Sequence, residues 1–344
     1  MKAAVIRAFG APDLIRVEEI ATPSPGPGQV LVKVLAAGVN RLDHYVRLGQ
    51  INPNLQFPHV LGSDAAGEVA ALGAGVTRFK VGERVIAMPA YPMNPEHAAI
   101  RPATAAPSYA IPGAHVQGVY AQYALVPETW LLRDTTGLPV EQAAALPVPL
   151  LIAVRAVQIV GEVQRGDRVL VHAGASSTGI MSIQVAQALG ARVATTVRRE
   201  SSARIARSLG AELVIDSTKD DVNAALAQWT EGRGVDVAID SLGGDTLART
   251  LDAVRPMGIV VAMGFMAGVN VTFDVRNFFF GQKQLRGTLI ADIEDFAAQF
   301  DSIRAGRIKP VIDRVLPLAE AARAHERIAN NQAQGSLVLL PWAT

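Results

Sequence analysis

The feature that most constrains the fold of this chain is an alternation of strand and helix patterns that begins near residue 166. Short apolar runs are separated there by segments with helical patterning. Strands that are apolar throughout are buried on both faces, as in a parallel sheet covered by helices on both sides. The sequence therefore predicts a doubly wound α/β domain. Its predicted strands are residues 168–171, 192–196, 212–215, 235–239, 258–263 and 284–289.

A glycine-containing turn follows the first of these strands. It reads His172-Ala173-Gly174-Ala175-Ser176-Ser177-Thr178-Gly179. We predict a helix that opens at about Ile180, with Gly174 permitting a tight turn and Gly179 permitting close packing of the helix. The exposed amides and positive dipole of a helix N-terminus bind phosphate when small residues let it approach.

Ser176 occupies the middle position of the G-x-G-x-x-G pattern, so the turn is also compatible with packing alone. The succession of strand, turn, helix and second strand favours a dinucleotide site instead. Its predicted cofactor-binding residues are Gly174, Ser176, Ser177, Thr178 and Gly179.

The end of the second strand bears on which dinucleotide binds. An Asp or Glu at this point accepts a hydrogen bond from the ribose 2′-hydroxyl of NAD. This chain instead has Thr195-Thr196-Val197-Arg198-Arg199. Arginine bonds a phosphate through its planar fork and stacks on adenine, so Thr196, Arg198 and Arg199 favour the 2′-phosphate of NADP(H). The alternative is a solvated arginine pair at a helix start, partly neutralised by Glu200.

Residues 1 to about 130 have a different pattern, of short strands interrupted by proline and glycine. Residues 91–113 form an irregular segment that is long for a plain connection, so we expect a structural or pocket-covering role. The C-terminal tail returns to the first pattern, with predicted helices over residues 292–305 and 318–329 and strands over residues 311–316 and 336–340. We expect this tail to complete the first domain, with the dinucleotide module inserted in it.

Composition excludes several classes of protein. The 344 residues are 50% hydrophobic, enough for two packed domains. The formal net charge of +1 gives no general attraction to nucleic acid or to an anionic membrane. The absence of cysteine excludes disulfides, thiol catalysis and thiolate zinc sites. With no secretory signal pattern and no apolar run near the ~20 residues of a membrane helix, we expect a cytoplasmic protein with no membrane partner.

Motifs along nearly the whole chain carry a resemblance to one superfamily. They include Ala36-Ala37-Gly38-Val39-Asn40, residues 58–67, residues 79–85, residues 232–237, Asp240-Ser241-Leu242-Gly243-Gly244 and residues 306–313. On these motifs the chain resembles the medium-chain dehydrogenase/reductase superfamily. The resemblance implies a GroES-like β-rich catalytic domain at residues 1–147, completed by residues 290–344, and a Rossmann NADP(H)-binding domain at residues 148–289. It also implies hydride transfer in the cleft between the domains and a homodimer or homotetramer.

The zinc ligands of the metal-dependent members are replaced in this chain. Asn40 stands where those members have Cys, and Gly62-Ser63-Asp64 stands where they have Gly-His-Glu. The third ligand would fall within residues 146–151, which contain no Cys, His, Asp or Glu, and residues 91–113 lack the four cysteines of the structural zinc site. We therefore expect no metal site. Without a Lewis acid to form the alkoxide, alcohol oxidation of the zinc type is disfavoured.

The zinc-free branch that this chain resembles contains quinone oxidoreductases and enoyl or enone reductases. The implied reaction is hydride transfer from NADPH to a small conjugated carbonyl compound, without flavin or metal. Conjugation carries the negative charge to an oxygen, where hydrogen-bond donors hold it. Asn40 and Tyr45 are the candidate catalytic donors, although Asn40 alternatively caps a turn and Tyr45 alternatively lines the pocket. A protein that binds NADPH without catalysis, as crystallin-like relatives suggest, is the alternative from another class.

The resemblance also assigns the nicotinamide-facing residues to the C-terminal ends of the later strands. These residues are Gly243, Gly264 and Phe265. Phe278-Phe279-Phe280 is a pocket wall, part of the core or a subunit contact. Ser202 and Ser217 depart from the family pattern, which has Lys and Tyr near the 2′-phosphate and the adenine, so Arg198 and Arg199 must supply that recognition.

Overall fold

The computed structural model describes residues 1–343, and the chain divides into two compact units. The first unit contains residues 1–148, residues 292–304 and the segment from Pro310 onward. The second contains Pro149–Ala291 and Ala305–Lys309. The short segment Ala305–Lys309 belongs to the second unit because the Gln184 amide exchanges two 2.9 Å hydrogen bonds with the Lys309 backbone.

The strands carry one set of labels in chain order. They are β1 (Lys2–Ile6), β2 (Arg16–Glu19), β3 (Gln29–Val39), β4 (His59–Val60), β5 (Asp64–Leu72), β6 (Arg84–Ala87), β7 (Tyr91–Pro92), β8 (Tyr109–Ala110), β9 (Tyr123–Pro127), β10 (Leu131–Arg133), β11 (Arg168–Val171), β12 (Arg192–Val197), β13 (Leu213–Asp216), β14 (Val235–Asp240), β15 (Val254–Ala262), β16 (Gln284–Gly287), β17 (Ile312–Pro317) and β18 (Ser336–Leu340).

The helices are labelled in the same way. They are α1 (Arg41–Arg47), α2 (Val140–Ala144), α3 (Pro147–Ala153), α4 (Ser177–Ala188), α5 (Glu200–Ser208), α6 (Val222–Trp229), α7 (Gly244–Ala253), α8 (Val275–Phe280), α9 (Ile293–Ala297), α10 (Phe300–Arg304) and α11 (Ala321–Ala329). Helix α3 continues as a π-helical segment, Val154–Val160. Among residues 1–343, no helix is both long and apolar enough to cross a membrane.

Strand β3 organises the first unit. It pairs antiparallel with β5 along one edge and with β9 and β18 along the other, in a sheet of order β10-β6-β5-β3-β18-β17. Its apolar side chains are mostly buried. The β3–β5 register sets Gly38 opposite Asp64, so Asn40, directly after β3, comes next to the start of β5. The pairing of these strands therefore creates the polar cluster described below.

The irregular segment over residues 91–113 is held together by packing and ion pairs. Tyr91 stacks on Trp130 with ring centroids 6.0 Å apart. The Arg101 guanidinium pairs with Glu294, and the Ala103 N–H donates to Asp292 Oδ1 at 2.7 Å. These contacts connect the segment to the start of α9 within the first unit, which supplies the structural role expected for it.

The second unit has the predicted parallel sheet. Its order is β13-β12-β11-β14-β15-β16, and every neighbouring pair is parallel. This is the strand order of a Rossmann fold, whose ligands bind at the C-terminal strand ends. The interior of the sheet is a buried apolar cluster that includes Leu170, Ala194, Ala238 and Val260. The fold class predicted from the sequence is confirmed.

Two predicted helices differ from the structure. The single helix expected over residues 292–305 is wrong, because α9 and α10 are separate. The Gln299 N–H bonds the carbonyl of Phe296, while the Gln299 side chain takes the carbonyl of Asp295, so the regular ladder stops there. The helix expected from residue 318 starts as a 3-10 turn, Leu318–Glu320, before α11.

Candidate functional site

The turn after β11 has the shape of a phosphate cradle, with one correction to the prediction. The left-handed residue of the turn is Ala173, with φ of 53°, and not Gly174. Gly174 is needed for another reason, since a Cβ there would lie 2.0 Å from Thr195 Oγ1 on the neighbouring strand. The backbone at Gly174 therefore packs directly against β12, and the side of the turn that faces away from β12 is left open.

Helix α4 begins at Ser177, three residues earlier than predicted. Ser176 is its N-cap, and its hydroxyl accepts from the Gly179 N–H at 3.1 Å. The N–H groups of Ser177 and Thr178 precede the intrahelical hydrogen bonds, and within residues 1–343 no acceptor bonds them. Two free amides at the positive end of a 12-residue helix suit a phosphate oxygen. The residues present thus fit the pyrophosphate of a dinucleotide.

A buried chain of hydrogen bonds lies beneath this turn. Thr196 Oγ1 accepts from the Ala173 N–H at 3.2 Å and lies 3.0 Å from His172 Nδ1. His172 Nε2 lies 2.9 Å from Thr250 Oγ1, which is 2.9 Å from Asp240 Oδ2. The Thr196 hydroxyl, predicted to bind cofactor, is thus turned inward. No sequence motif indicates this role for His172, because its partners lie 24 and 78 residues away in the chain.

The two arginines at the end of β12 are exposed. Neither the Arg198 guanidinium nor the Arg199 guanidinium has a hydrogen bond or ion pair to another described residue. Glu200, the expected neutralising partner, instead pairs with Arg207 at 2.9 Å. The Ser217 hydroxyl donates to the Val197 carbonyl at 3.2 Å and so contributes to holding this strand end. Two unengaged guanidiniums are therefore available to an anion.

The turn after β14 holds Gly243, one of the three residues assigned to the nicotinamide. Asp240 Oδ1 accepts from the N–H groups of Leu242 and Gly243, both at 2.8 Å. Gly243 has φ of 67°, and a Cβ there would lie 2.5 Å from the Gly268 carbonyl oxygen. Gly264 follows the next strand, β15, and its backbone packs so closely on the Ser241 carbonyl that a Cβ would lie 2.5 Å from the oxygen. The side chain of the next residue, Phe265, is 39% exposed. The carboxylate of Asp240 thus shapes the turn from inside.

In the first unit, Asn40 is the centre of a buried polar cluster. Its Nδ2 donates to Asp64 Oδ2 at 2.8 Å, and its backbone N–H donates to Asp43 Oδ2 at 2.8 Å. Asp64 also accepts from the Val148 N–H, and Asp43 accepts from the Tyr120 hydroxyl at 2.7 Å. Burial raises the pKa of Asp43 to about 6 and that of Asp64 well above its usual value.

The other catalytic candidate is placed differently. Tyr45 lies on α1 and is partly buried, with its ring 5.6 Å from that of His44. Burial, together with the nearby Arg47 and Arg41, lowers the pKa of His44 to about 4. His44 is therefore neutral near pH 7 and accepts from the Arg47 guanidinium at 2.9 Å.

The cluster around Asn40 does not suit the catalytic zinc of the metal-dependent relatives. Zinc needs thiolate, imidazole or carboxylate donors with free lone pairs. Here the Asn40 amide nitrogen is a donor to Asp64, and both Asp64 oxygens lie within 3.2 Å of the Val148 N–H. Among residues 1–343 no group of three His, Cys, Asp or Glu is arranged to hold a metal ion.

Two protein-family domains and several known reductases are similar to this chain. Residues 26–136 match the alcohol dehydrogenase GroES-like domain, and residues 177–304 match the zinc-binding dehydrogenase family. A 2-haloacrylate reductase from a Burkholderia species is 35% identical over 99% of both chains. A quinone oxidoreductase from Pseudomonas aeruginosa is 33% identical over 97% of this chain and 98% of that one.

Among solved structures, one described as an NAD-dependent alcohol dehydrogenase has a TM-score of 0.93 at 33% identity, with 99% of each chain covered. The matches to both halves of the chain confirm the GroES-like and Rossmann assignments made from the sequence. The phosphate cradle after β11 fits the nicotinamide dinucleotide that such a family implies. The chain belongs to the medium-chain dehydrogenase/reductase superfamily, in its quinone oxidoreductase-like branch, and is an oxidoreductase that uses a nicotinamide cofactor.

Proposed function

We propose that this protein reduces quinones or α,β-unsaturated carbonyl compounds with NADPH, by direct hydride transfer and without zinc or flavin. The observation that carries the proposal is the hydrogen-bonded cluster of Asn40, Asp43 and Asp64, in which Asn40 stands where the zinc-dependent relatives have a Cys ligand. The names of the two similar proteins, a quinone oxidoreductase and a 2-haloacrylate reductase, both refer to conjugated electron acceptors. Such acceptors need no Lewis acid to take up a hydride.

The first unit supplies a fixed hydrogen-bond donor. A carboxamide has two N–H donors, and Asp64 accepts from the Asn40 nitrogen, which fixes the plane of the amide. The remaining donor is assigned to the substrate oxygen on which negative charge develops. Tyr45 is the candidate source of the proton. Its hydroxyl is an O–H donor, whereas Asp43 already accepts two hydrogen bonds.

The coenzyme, the acceptor and a proton donor account for every atom and electron of the reaction. The bound nicotinamide supplies a hydride, two electrons and one proton, from its C4 carbon. A C–H bond forms at the electron-poor carbon of the acceptor, and the electron pair of its C=C bond moves toward the carbonyl oxygen. A proton delivered to the enolate from Tyr45 or from water completes the saturated product, and a quinone gives the hydroquinone in the same way.

The preference for NADPH rests on the second unit. Arg198 and Arg199 are exposed and unengaged, and no carboxylate ends β12 to accept from a ribose hydroxyl. Charge-assisted hydrogen bonds from a guanidinium to a phosphate are the stronger kind. We therefore assign these two side chains to the 2′-phosphate.

A panel of acceptors tests the proposal. Purified protein is assayed for NADPH and NADH oxidation with benzoquinones, naphthoquinones, enones and 2-haloacrylate, before and after dialysis against a chelator. We expect turnover with at least one acceptor class, faster with NADPH and unchanged by chelation. Tight NADPH binding without turnover on any acceptor would support a binding protein instead.

Alcohol oxidation is the second candidate, because the similar solved structure is described as an NAD-dependent alcohol dehydrogenase. The same preparation is assayed with NAD and with primary and secondary alcohols. Alcohol turnover that is lost on chelation and restored by zinc would favour this candidate over the reductase.

We propose a second copy of this chain as the macromolecular partner, giving a homodimer or homotetramer. The edge strand β16 and helix α8 lie together in the chain and carry exposed apolar side chains, which are Leu285 on the strand and Phe279 (68%) and Phe280 (77%) on the helix. Open edge strands with apolar surroundings are usually covered by another strand. With a net charge of +1, we expect no nucleic-acid or membrane partner and propose a cytoplasmic location.

A further inference from the structure

The buried hydrogen-bond chain in the second unit connects the three places that the proposed function assigns to the coenzyme. His172 directly precedes the pyrophosphate turn, Thr196 lies two residues before Arg198, and Asp240 shapes the turn that contains Gly243. Thr250 on α7 closes the chain between His172 and Asp240. All four linking side chains are buried, with His172 only 4% exposed. None of them is open to the coenzyme itself.

One assignment of these hydrogen-bond directions gives each donor in the chain an acceptor. The Thr196 oxygen accepts from the Ala173 N–H, so its own hydrogen is free to donate to His172 Nδ1. His172 is then the tautomer with hydrogen on Nε2, which donates to Thr250 Oγ1. The Thr250 hydroxyl has two acceptors within reach, Asp240 Oδ2 at 2.9 Å and the Thr246 carbonyl at 2.8 Å.

The surroundings keep this arrangement in one protonation state. Burial lowers the pKa of His172, an effect to which Arg249 adds and which Asp240 opposes, so the ring is neutral at pH 7. The neutral ring has one donor and one acceptor, and it uses both. Replacing either partner with an apolar side chain therefore leaves a buried polar atom without a bond.

We propose that His172 and Thr250 are positioning residues for the nicotinamide coenzyme. They set the spacing between the pyrophosphate turn, the Arg198–Arg199 strand end and the Gly243 turn, so that one bound molecule meets all three. The proposal rests on the proposed function only in requiring that a nicotinamide dinucleotide binds this unit. Its consequence is specific, since a disturbed network weakens coenzyme binding and leaves recognition of the second substrate unchanged.

The test compares four single variants and one double variant of the full chain. Thr250→Val removes one hydroxyl at constant shape, His172→Leu removes both ring nitrogens, and His172→Gln restores a side-chain amide at similar length. Thr230→Val is the matched control, because Thr230 is equally buried in the same unit and bonds Leu226 O and Gly234 N, before the start of β14. For each, the Kd of NADPH and of NADH is measured by fluorescence titration, together with the Tm.

We expect Thr250→Val and His172→Leu each to raise the Kd about tenfold, the scale of one buried hydrogen bond. The Kd of His172→Gln should stay within about threefold of the wild-type value. The Kd of the double variant His172→Leu, Thr250→Val should be no higher than the higher Kd of the two single variants, because both changes break the same hydrogen-bond chain. Thr230→Val should lower the Tm without changing the Kd. The KM of the acceptor at saturating coenzyme should not change.

A lowered Tm with an unchanged Kd in Thr250→Val and His172→Leu would overturn the inference and leave the network a structural one. An equal loss of affinity in Thr230→Val would overturn it as well. Wild-type protein that binds NADH and not NADPH would refute the proposed coenzyme preference alone, because the network is then tested through the NADH values. Wild-type protein that binds neither would overturn both proposals.

Discussion

Replacing Asp43 with asparagine should change the pH dependence of stability in a calculable way. Burial raises the pKa of the Asp43 carboxyl from 3.8 to about 6, in spite of hydrogen bonds from Asn40 and Tyr120. The folded state therefore keeps this proton at pH values where the unfolded chain has released it. This group makes the free energy of unfolding fall as the pH rises from about 4 to about 6. The difference between the two pKa values corresponds to about 3 kcal/mol above pH 7.

The Asp43→Asn side chain is neutral at every pH and keeps an oxygen that can accept from both donors. The stability of this variant relative to the wild type should therefore rise by about 3 kcal/mol between pH 4 and pH 8, as measured by urea unfolding at each pH. Tyr120→Phe is the control, because it removes a donor from the carboxylate and should move the difference in the opposite direction. A relative stability of Asp43→Asn that stays flat over this range would refute the reasoning.

Three further predictions follow from the site. The double variant Arg198→Ala, Arg199→Ala should raise the KM for NADPH about 100-fold with little change in the KM for NADH. The reason is that each charge-assisted hydrogen bond contributes roughly tenfold. An equal rise in KM for both coenzymes would contradict the assignment. Asn40→Ala should lower kcat about 100-fold, because it removes the donor to the substrate oxygen. Tyr45→Phe should lower kcat and flatten the pH profile of kcat. A wild-type kcat in both variants would show that these residues have only a structural role. Phe280→Asp should shift the mass measured by light scattering toward the monomer, and an unchanged mass would place the subunit contact elsewhere.

The fold was predictable because its signals are local. The apolar runs from residue 168 onward indicated strands buried on both faces, and these form the parallel sheet of the second unit. The turn at Gly174 was recognised from its strand and helix context, although the left-handed residue is Ala173. The close approach of Gly174 to Thr195 on β12 is likewise not visible in the spacing of the turn.

The parts of the site that depend on distant residues were not predictable. The position of Asn40 in the sequence indicates a functional residue, but its bond to Asp64 follows from the β3–β5 register. The Val148 N–H that also bonds Asp64 comes from a much later segment of the chain. His172 was assigned no role, because its partners are on β12 and α7. Polar networks of this kind combine residues that only the folded chain brings together.

The most direct measurement follows deuterium from the 4-position of labelled NADPH into product. It uses protein whose zinc content has been measured and an enone or haloacrylate acceptor, and the product is analysed by mass spectrometry. We expect the label on the carbon β to the carbonyl, at a rate that does not depend on zinc. Product without the label, or activity that tracks the bound zinc, would contradict the account.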